Sequence, residues 1–162
     1  MELRPETTRD IDAIRELTRV AFAPMPYSDG TEPDVIDRLR NADALTLSLV
    51  AEIDGEVVGQ VTFSPANGSA DWYALGPVSV QPERQSEGIG RAMIRAGLEQ
   101  LRTAGATGCM LVGNPAYYSR FGFELTPALC PQDEPAEFFQ TLRLGDGATD
   151  TLAFHAAFYG DL

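Results

Sequence analysis

The chain has 162 residues and a formal net charge of −12, set by 24 acidic residues against 12 basic ones; all of the basic residues are arginine. Without lysine there can be neither a Walker-type phosphate loop nor Schiff-base chemistry, and so acidic a chain argues against nucleic acid as a partner, because polyanion binding depends on clustered Lys and Arg. No apolar run approaches the roughly 20 residues of a membrane span, and the start, charged from Glu2 and Arg4 onward, lacks a signal-peptide core.

These features lead us to expect a single soluble, cytoplasmic domain over 1–162, with no membrane partner. Cys109, Cys130 and His155 form no recognised metal spacing, so buried free thiols and no metal are expected. The oligomeric state, a homodimer included, is left open.

In chain order, residues 1–4 read as a short first strand. Thr7 or Thr8 offers an N-cap, Asp10 and Asp12 suit the first turn of a helix, and Ile11, Ile14, Leu17 and Ala21 repeat at helical spacing up to Phe22. A loop follows over 23–31, rich in proline, in which Tyr27 and Asp29 are candidates for contact with a substrate. Glu32-Pro33 opens a second helix with Val35, Ile36 and Leu39 on one side.

Asp54-Gly55 between the alternating runs 45–53 and 56–63 predicts a β-hairpin. The next strand covers 72–80. Pro77 lies inside it beside Gly76 and cannot donate to a ladder, so the strand is expected to bulge there or to lie at an edge. From 88 to 104 the pattern is helical: Ile89, Met93, Ile94, Leu98 and Leu101 form an apolar side, Arg91, Arg95, Glu99 and Arg102 a polar one, and Gly105 stops it.

The wholly apolar stretch 108–112 suits a buried strand parallel to 72–80. One or two helical turns are expected from Pro115 to Arg120, ended by Gly122. The pattern then predicts a loop over 127–135 and two closing strands, 137–144 and 151–158, around Gly145-Asp-Gly147.

The segment 78–92 joins a strand end to a helix start through Gln85-Ser-Glu-Gly-Ile-Gly90. Several backbone N–H groups and the positive end of a helix dipole converge there, and glycines at 88 and 90 let a ligand approach the backbone, so the segment reads as a phosphate cradle. Charge agrees: residues 84–120 hold five arginines against Glu87 and Glu99, net +3, in an otherwise acidic chain. A dinucleotide fingerprint is poorly matched, since Met93 stands where its third glycine belongs.

The turn resembles the Q/R-x-x-G-x-G/A signature of the GNAT family of N-acetyltransferases. Val78-Ser-Val80 before it and Tyr118-Ser-Arg-Phe-Gly122-Phe123 after it are similar to that family's strand end and its Y-x-x-x-G-F. The stretch Asn114-Pro-Ala-Tyr-Tyr-Ser-Arg-Phe-Gly-Phe123 resembles the form found in YhbS-like members.

The resemblance implies a mixed α/β fold: a twisted, mostly antiparallel sheet, helices on both faces, and a parallel strand pair splayed at the cofactor site. It implies acetyl-CoA as co-substrate, and a small-molecule or peptide amine as acceptor. Val78, Ser79 and Val80 would hold the thioester and pantetheine arm, and Gln85, Ser86, Gly88, Ile89, Gly90, Arg91 and Ala92 the pyrophosphate. Arg84 or Arg91 would reach a phosphate, Asn114 would contact the arm, and Tyr118 would be the general acid.

Glu87 breaks the family's preference for a basic or small residue before the first signature glycine and is expected to face solvent. Glu52 and Asp71 are the candidate bases, and neither is assigned. The alternative is a module of the same fold that binds CoA or an acyl-CoA without turning it over.

Overall fold

The computed structural model describes residues 1–160, with seven strands in one sheet. They are β1 (Glu2–Pro5), β2 (Leu47–Ile53), β3 (Glu56–Pro65), β4 (Trp72–Val80), β5 (Gly108–Val112), β6 (Glu124–Leu125) and β7 (Phe139–Arg143), in the spatial order β1-β2-β3-β4-β5-β7-β6. Only β4 and β5 run parallel; every other neighbouring pair is antiparallel. The helices are α1 (Ile11–Phe22), α2 (Glu32–Asn41), α3 (Ile89–Thr103) and the single turn α4 (Pro115–Tyr118).

Successive strand residues point to opposite faces, and the two faces carry different helices. Leu49, Ala51, Val61 and Phe63 pack with Ile89, Met93, Ile94 and Leu98 of α3, whereas Val50 packs with Ile14 of α1 and Ile36 of α2. The α3 layer lies close: a Cβ on Gly97 would strike the ring of Phe63, with Cζ at 2.6 Å. Burying these side chains favours the sandwich by about 1.5–3 kcal/mol for each large apolar one.

The sequence expectations hold for β1, both long helices, the hairpin turn at Asp54-Gly55 and the βαβ unit β4-α3-β5. At Pro77 the strand is bulged and not at an edge. Its register with β3 slips between Val61, opposite Val78, and Phe63, opposite Leu75, and the Gly76–Pro77 peptide is cis.

Three expectations need correction. Residues 151–158 form no strand: Ala153 makes one isolated bridge to Asn67, and a 3-10 turn covers Ala156–Tyr159. Leu152 and Phe154 are instead buried against Trp72, Met110 and Phe139, so their alternation records burial without strand pairing. The second closing strand is β6, only two residues long, and the predicted loop over 127–135 includes a 3-10 turn at Pro127–Leu129. Of the two free thiols Cys109 is buried, but Cys130 is only half-buried.

Candidate active site

The site begins where β4 and β5 part. Their pairing covers only Trp72, Tyr73 and Ala74 opposite Gly108, Cys109 and Met110, so β4 from Leu75 onward has no backbone partner on that side. The direction of its free groups follows from register. Gln81 N–H donates to the Val58 carbonyl at 2.9 Å, and bonded and non-bonded pairs alternate along an antiparallel ladder. Ser79 therefore bonds with Gln60, while Val78 and Val80, opposite Val61 and Gly59, aim their N–H and C=O groups away from β3 and into the gap.

A cleft at this gap is lined by Ala21, Phe22, Met25, Tyr27, Val78, Ser79, Val80 and Gln85. Tyr27 is 76% exposed and stands at its rim. Gln85 folds back, its Nε2 donating to the Val80 carbonyl at 3.3 Å.

The cradle follows. Gly88 caps α3 in a left-handed conformation, φ +87°, and Ser86 shares the positive range at φ +70°. The first intrahelical bond runs from Ala92 N–H to the Gly88 carbonyl at 3.0 Å, which leaves the N–H groups of Ile89, Gly90 and Arg91 without helical partners. Three free donors at the positive end of a fifteen-residue helix form a place for an anion. At Gly90 a Cβ would fit closely, 3.3 Å from the Tyr117 hydroxyl and 3.7 Å from Val80 Cγ2, so a longer side chain would crowd Tyr117, whereas Gly88 is needed for its φ.

Charge around the turn is less simple than the sequence count. Arg84 pairs with Glu87 at 3.7 Å, so the acid that breaks the signature lies exposed on the surface beside a basic partner. Arg91 is exposed, and among the described residues it has no salt-bridge partner. Asn114 caps α4, its Oδ1 accepting from Ala116 N–H at 2.9 Å, so only its amide donors remain available.

Tyr118 sits in an aromatic cluster, edge-on to Tyr117 with centroids 5.0 Å apart and to Phe123 at 6.1 Å. Its ring lies against Gly113, where a Cβ would come within 2.5 Å of Cε2. Burial, reinforced by the neighbouring Tyr117, Tyr27 and Cys109, pushes its phenol well above the usual value and keeps it protonated. Gly113 is itself fixed, because the buried Gln140 donates from Nε2 to its carbonyl at 2.9 Å.

Of the candidates, Tyr27, Val78, Ser79, Val80 and Gln85 line the cleft; Gly90 lies beside Val80 and the Tyr117 hydroxyl, Tyr118 packs against Tyr117, and others lie elsewhere. Asp29 accepts from Thr31 N–H at 3.0 Å and from the Thr31 hydroxyl at 2.6 Å within its own turn, and it does not line the cleft. Ser79, though it lines the cleft, is almost fully buried, its hydroxyl donating to Thr18 Oγ1 at 3.2 Å under α1. Glu52 is held by Arg4 at 3.1 Å on the β1 side of the sheet, and Asp71 precedes the far end of β4; neither lines the cleft.

Tyr117, Gly113 and Gln140 escape sequence reasoning. The Tyr-Tyr pair signals aromatic packing without saying which hydroxyl turns toward α3, and a buried glutamine on a short strand carries no motif.

The model of the acetyltransferase (GNAT) family matches residues 11–123, which contain β2 to β5, the cradle and Tyr118. The chain belongs to the GNAT family. Within it, the chain is 32% identical to the uncharacterized N-acetyltransferase YhbS of Escherichia coli strain K12, over 98% of both chains. It is 47% identical to a GNAT family acetyltransferase from Brucella melitensis whose crystal structure holds acetyl-CoA, with a TM-score of 0.86 and 97% of each chain covered.

The crystal structure of Escherichia coli YhbS in complex with CoA superposes with a TM-score of 0.87 at 31% identity, covering 98% of this chain and 91% of that one. The splayed pair β4 and β5 and the α3 cradle are thus features of a GNAT fold whose relatives hold this ligand. Among the described residues no group of three His, Cys, Asp or Glu side chains could hold a metal, and no helix is long and apolar enough to cross a membrane.

Proposed function

We propose that the protein transfers the acetyl group of acetyl-CoA to a primary amine of a small molecule or peptide by direct attack on the thioester. The observation that carries the reading is the gap itself, where β4 from Leu75 onward has no backbone partner on the β5 side and the strand leads into the free donors of α3. The 47% identical relative with bound acetyl-CoA supports the same co-substrate for this chain.

Residues of this chain suit each step. The N–H groups of Ile89, Gly90 and Arg91 bind the pyrophosphate, with the Arg91 side chain free to meet a phosphate. The Val80 backbone receives the pantetheine arm once Gln85 releases its carbonyl, and Val78 N–H donates to the thioester oxygen as negative charge develops on it. A neutral amine forms the new C–N bond, the C–S bond breaks, and the Tyr118 phenol gives its proton to the departing thiolate. The amine proton passes to solvent, since among the described residues no carboxylate lines the cleft, and the Tyr118 phenolate takes a proton back from solvent to restore the phenol.

Titration calorimetry with acetyl-CoA, together with CoA thiol release over a panel of amines, tests the reading. Gly90→Glu puts a charged side chain against Tyr117 and at the cradle and should weaken acetyl-CoA at least about 100-fold, the loss of one or two charge-assisted contacts. Unchanged affinity in Gly90→Glu would refute the cradle, and binding without thiol release from any amine would refute catalysis.

A further inference from the structure

The bulge in β4 is held from behind by a buried polar set that the reaction itself does not use. Gln60, Thr62 and Ser79 are each no more than 2% exposed, and they lie on the α1 side of the sheet, opposite the α3 core. Three alternate positions of β3, residues 60, 62 and 64, are polar where a buried strand would ordinarily be apolar.

Two of these side chains share one target. Gln60 Nε2 and Thr62 Oγ1 each donate to the Pro77 carbonyl at 3.1 Å, and Gln60 Nε2 also donates to Ser79 Oγ at 3.1 Å. Ser79 passes the chain of bonds to Thr18 Oγ1 at 3.2 Å, and Thr18 donates to the Ile14 carbonyl of α1 at 2.7 Å. A carbonyl only accepts, so the amide of Gln60 must present its nitrogen to Pro77. Its Oε1 is left with no hydrogen-bond partner, a cost accepted inside a core.

The consequence lies one atom along the chain. The carbonyl of Pro77 and the N–H of Val78 belong to one planar peptide and point in opposite directions. Two donors that hold the carbonyl back toward β3 and α1 therefore hold the Val78 N–H forward into the gap, where register leaves it unpaired. The register slips at this point, and there the two side chains hold the Pro77 carbonyl.

We propose that Gln60 and Thr62 are positioning residues that fix the direction of the Val78 N–H, and so act on the rate of acyl transfer without touching either substrate. The assignment rests on the reading of the gap as the acyl-transfer site. It separates their effect from that of the cradle: they act on turnover and leave acetyl-CoA affinity alone.

The test uses the full chain with Gln60→Met, Thr62→Val, the double variant, and Thr62→Ser, which keeps the hydroxyl. The double variant should lose about 10-fold to 100-fold in kcat, the range for a misaligned oxyanion donor, while the Kd for acetyl-CoA stays within about threefold. Thr62→Ser should restore most of the kcat that Thr62→Val loses, a rescue that a packing role would not give. In carbon-13 labelled protein the Pro77 carbonyl resonance should move in each donor-removing variant and stay in Thr62→Ser.

A Pro77 resonance unmoved by the double variant, or a folded double variant with kcat within about twofold of the parent, would overturn the proposal. If the parent protein turns over no amine, the carbonyl resonance still decides the positioning. Its movement would support the held peptide while the catalytic reading alone fails.

Discussion

In the proposed reaction Tyr118 gives the proton, and its surroundings keep that proton in place. Its aromatic surroundings oppose the phenolate, so the group stays protonated beyond its ordinary value near 10, and no alkaline loss of activity below that pH should come from it. The acid limb of the rate profile should instead follow the acceptor amine, which attacks only when neutral. Tyr118→Phe should lower kcat about 100-fold and leave acetyl-CoA affinity unchanged; a mutant with parental turnover would remove Tyr118 from the mechanism. Gly113→Ala, which drives a methyl group into that ring, should lower kcat with the phenol still present, as thiol-release assays would show. At this scale the sequence made the glycines and Tyr118 visible because their chemistry is tied to fixed spacings. The Tyr117 hydroxyl beside Gly90, the Gln140 bond to Gly113 and the Asn114 cap depend on side-chain direction, which spacing does not report.

Among the elements, β1 and α1 are joined by a cap that carries charge. Arg4 on β1 donates to both oxygens of Asp10, at 2.7 and 3.0 Å, and Thr7 N–H donates to the same carboxylate at 2.7 Å, just ahead of α1. The Arg4 hydrogen bond, followed by those from Thr7, holds the Asp10 carboxyl well below the usual range and outweighs the opposing effect of its burial. A carboxyl with a depressed folded pKa contributes stability that is complete above its unfolded value near 4 and is lost as pH falls below it. Urea midpoints should therefore drop between about pH 5 and about pH 2 in the parent. Asp10→Asn should cost about 1–2 kcal/mol at neutral pH and flatten that acid dependence; a mutant as acid-sensitive as the parent would place the effect elsewhere. The Asp54-Gly55 hairpin and a break in pairing at Pro77 were legible from residue types alone, as was a cap near Thr7, because turn, cap and proline chemistry act locally; Thr7 caps a 3-10 turn over Thr8–Asp10, and Asp10, expected in the first turn, is the N-cap of α1. The closing strands were not. β6 is too short to show a period, and Leu152 and Phe154 alternate because each fills a hole beside Trp72 and Phe139.

For the molecule as a whole, the charge is arranged against the proposed co-substrate. A chain of net charge −12 repels a polyanion at long range, and the segment 84–120, net +3 from five arginines against two glutamates, is the exception that contains the α3 cradle. The same field attracts cations: an acceptor amine that is protonated in bulk solution is drawn toward the acidic surface before it loses its proton and reacts. Steering of this kind extends over about one Debye length, roughly 10 Å at 0.1 M salt, and fades as salt rises. At saturating acetyl-CoA, kcat/KM for an alkyl diamine should therefore fall at least about tenfold between about 0.02 M and about 0.5 M salt, with kcat little changed. An arylamine, uncharged at neutral pH, should show no such slope. Equal salt responses for the two acceptors would show that the acidic shell serves solubility alone, and a decline in kcat for both would point to damage at the cradle instead of loss of steering.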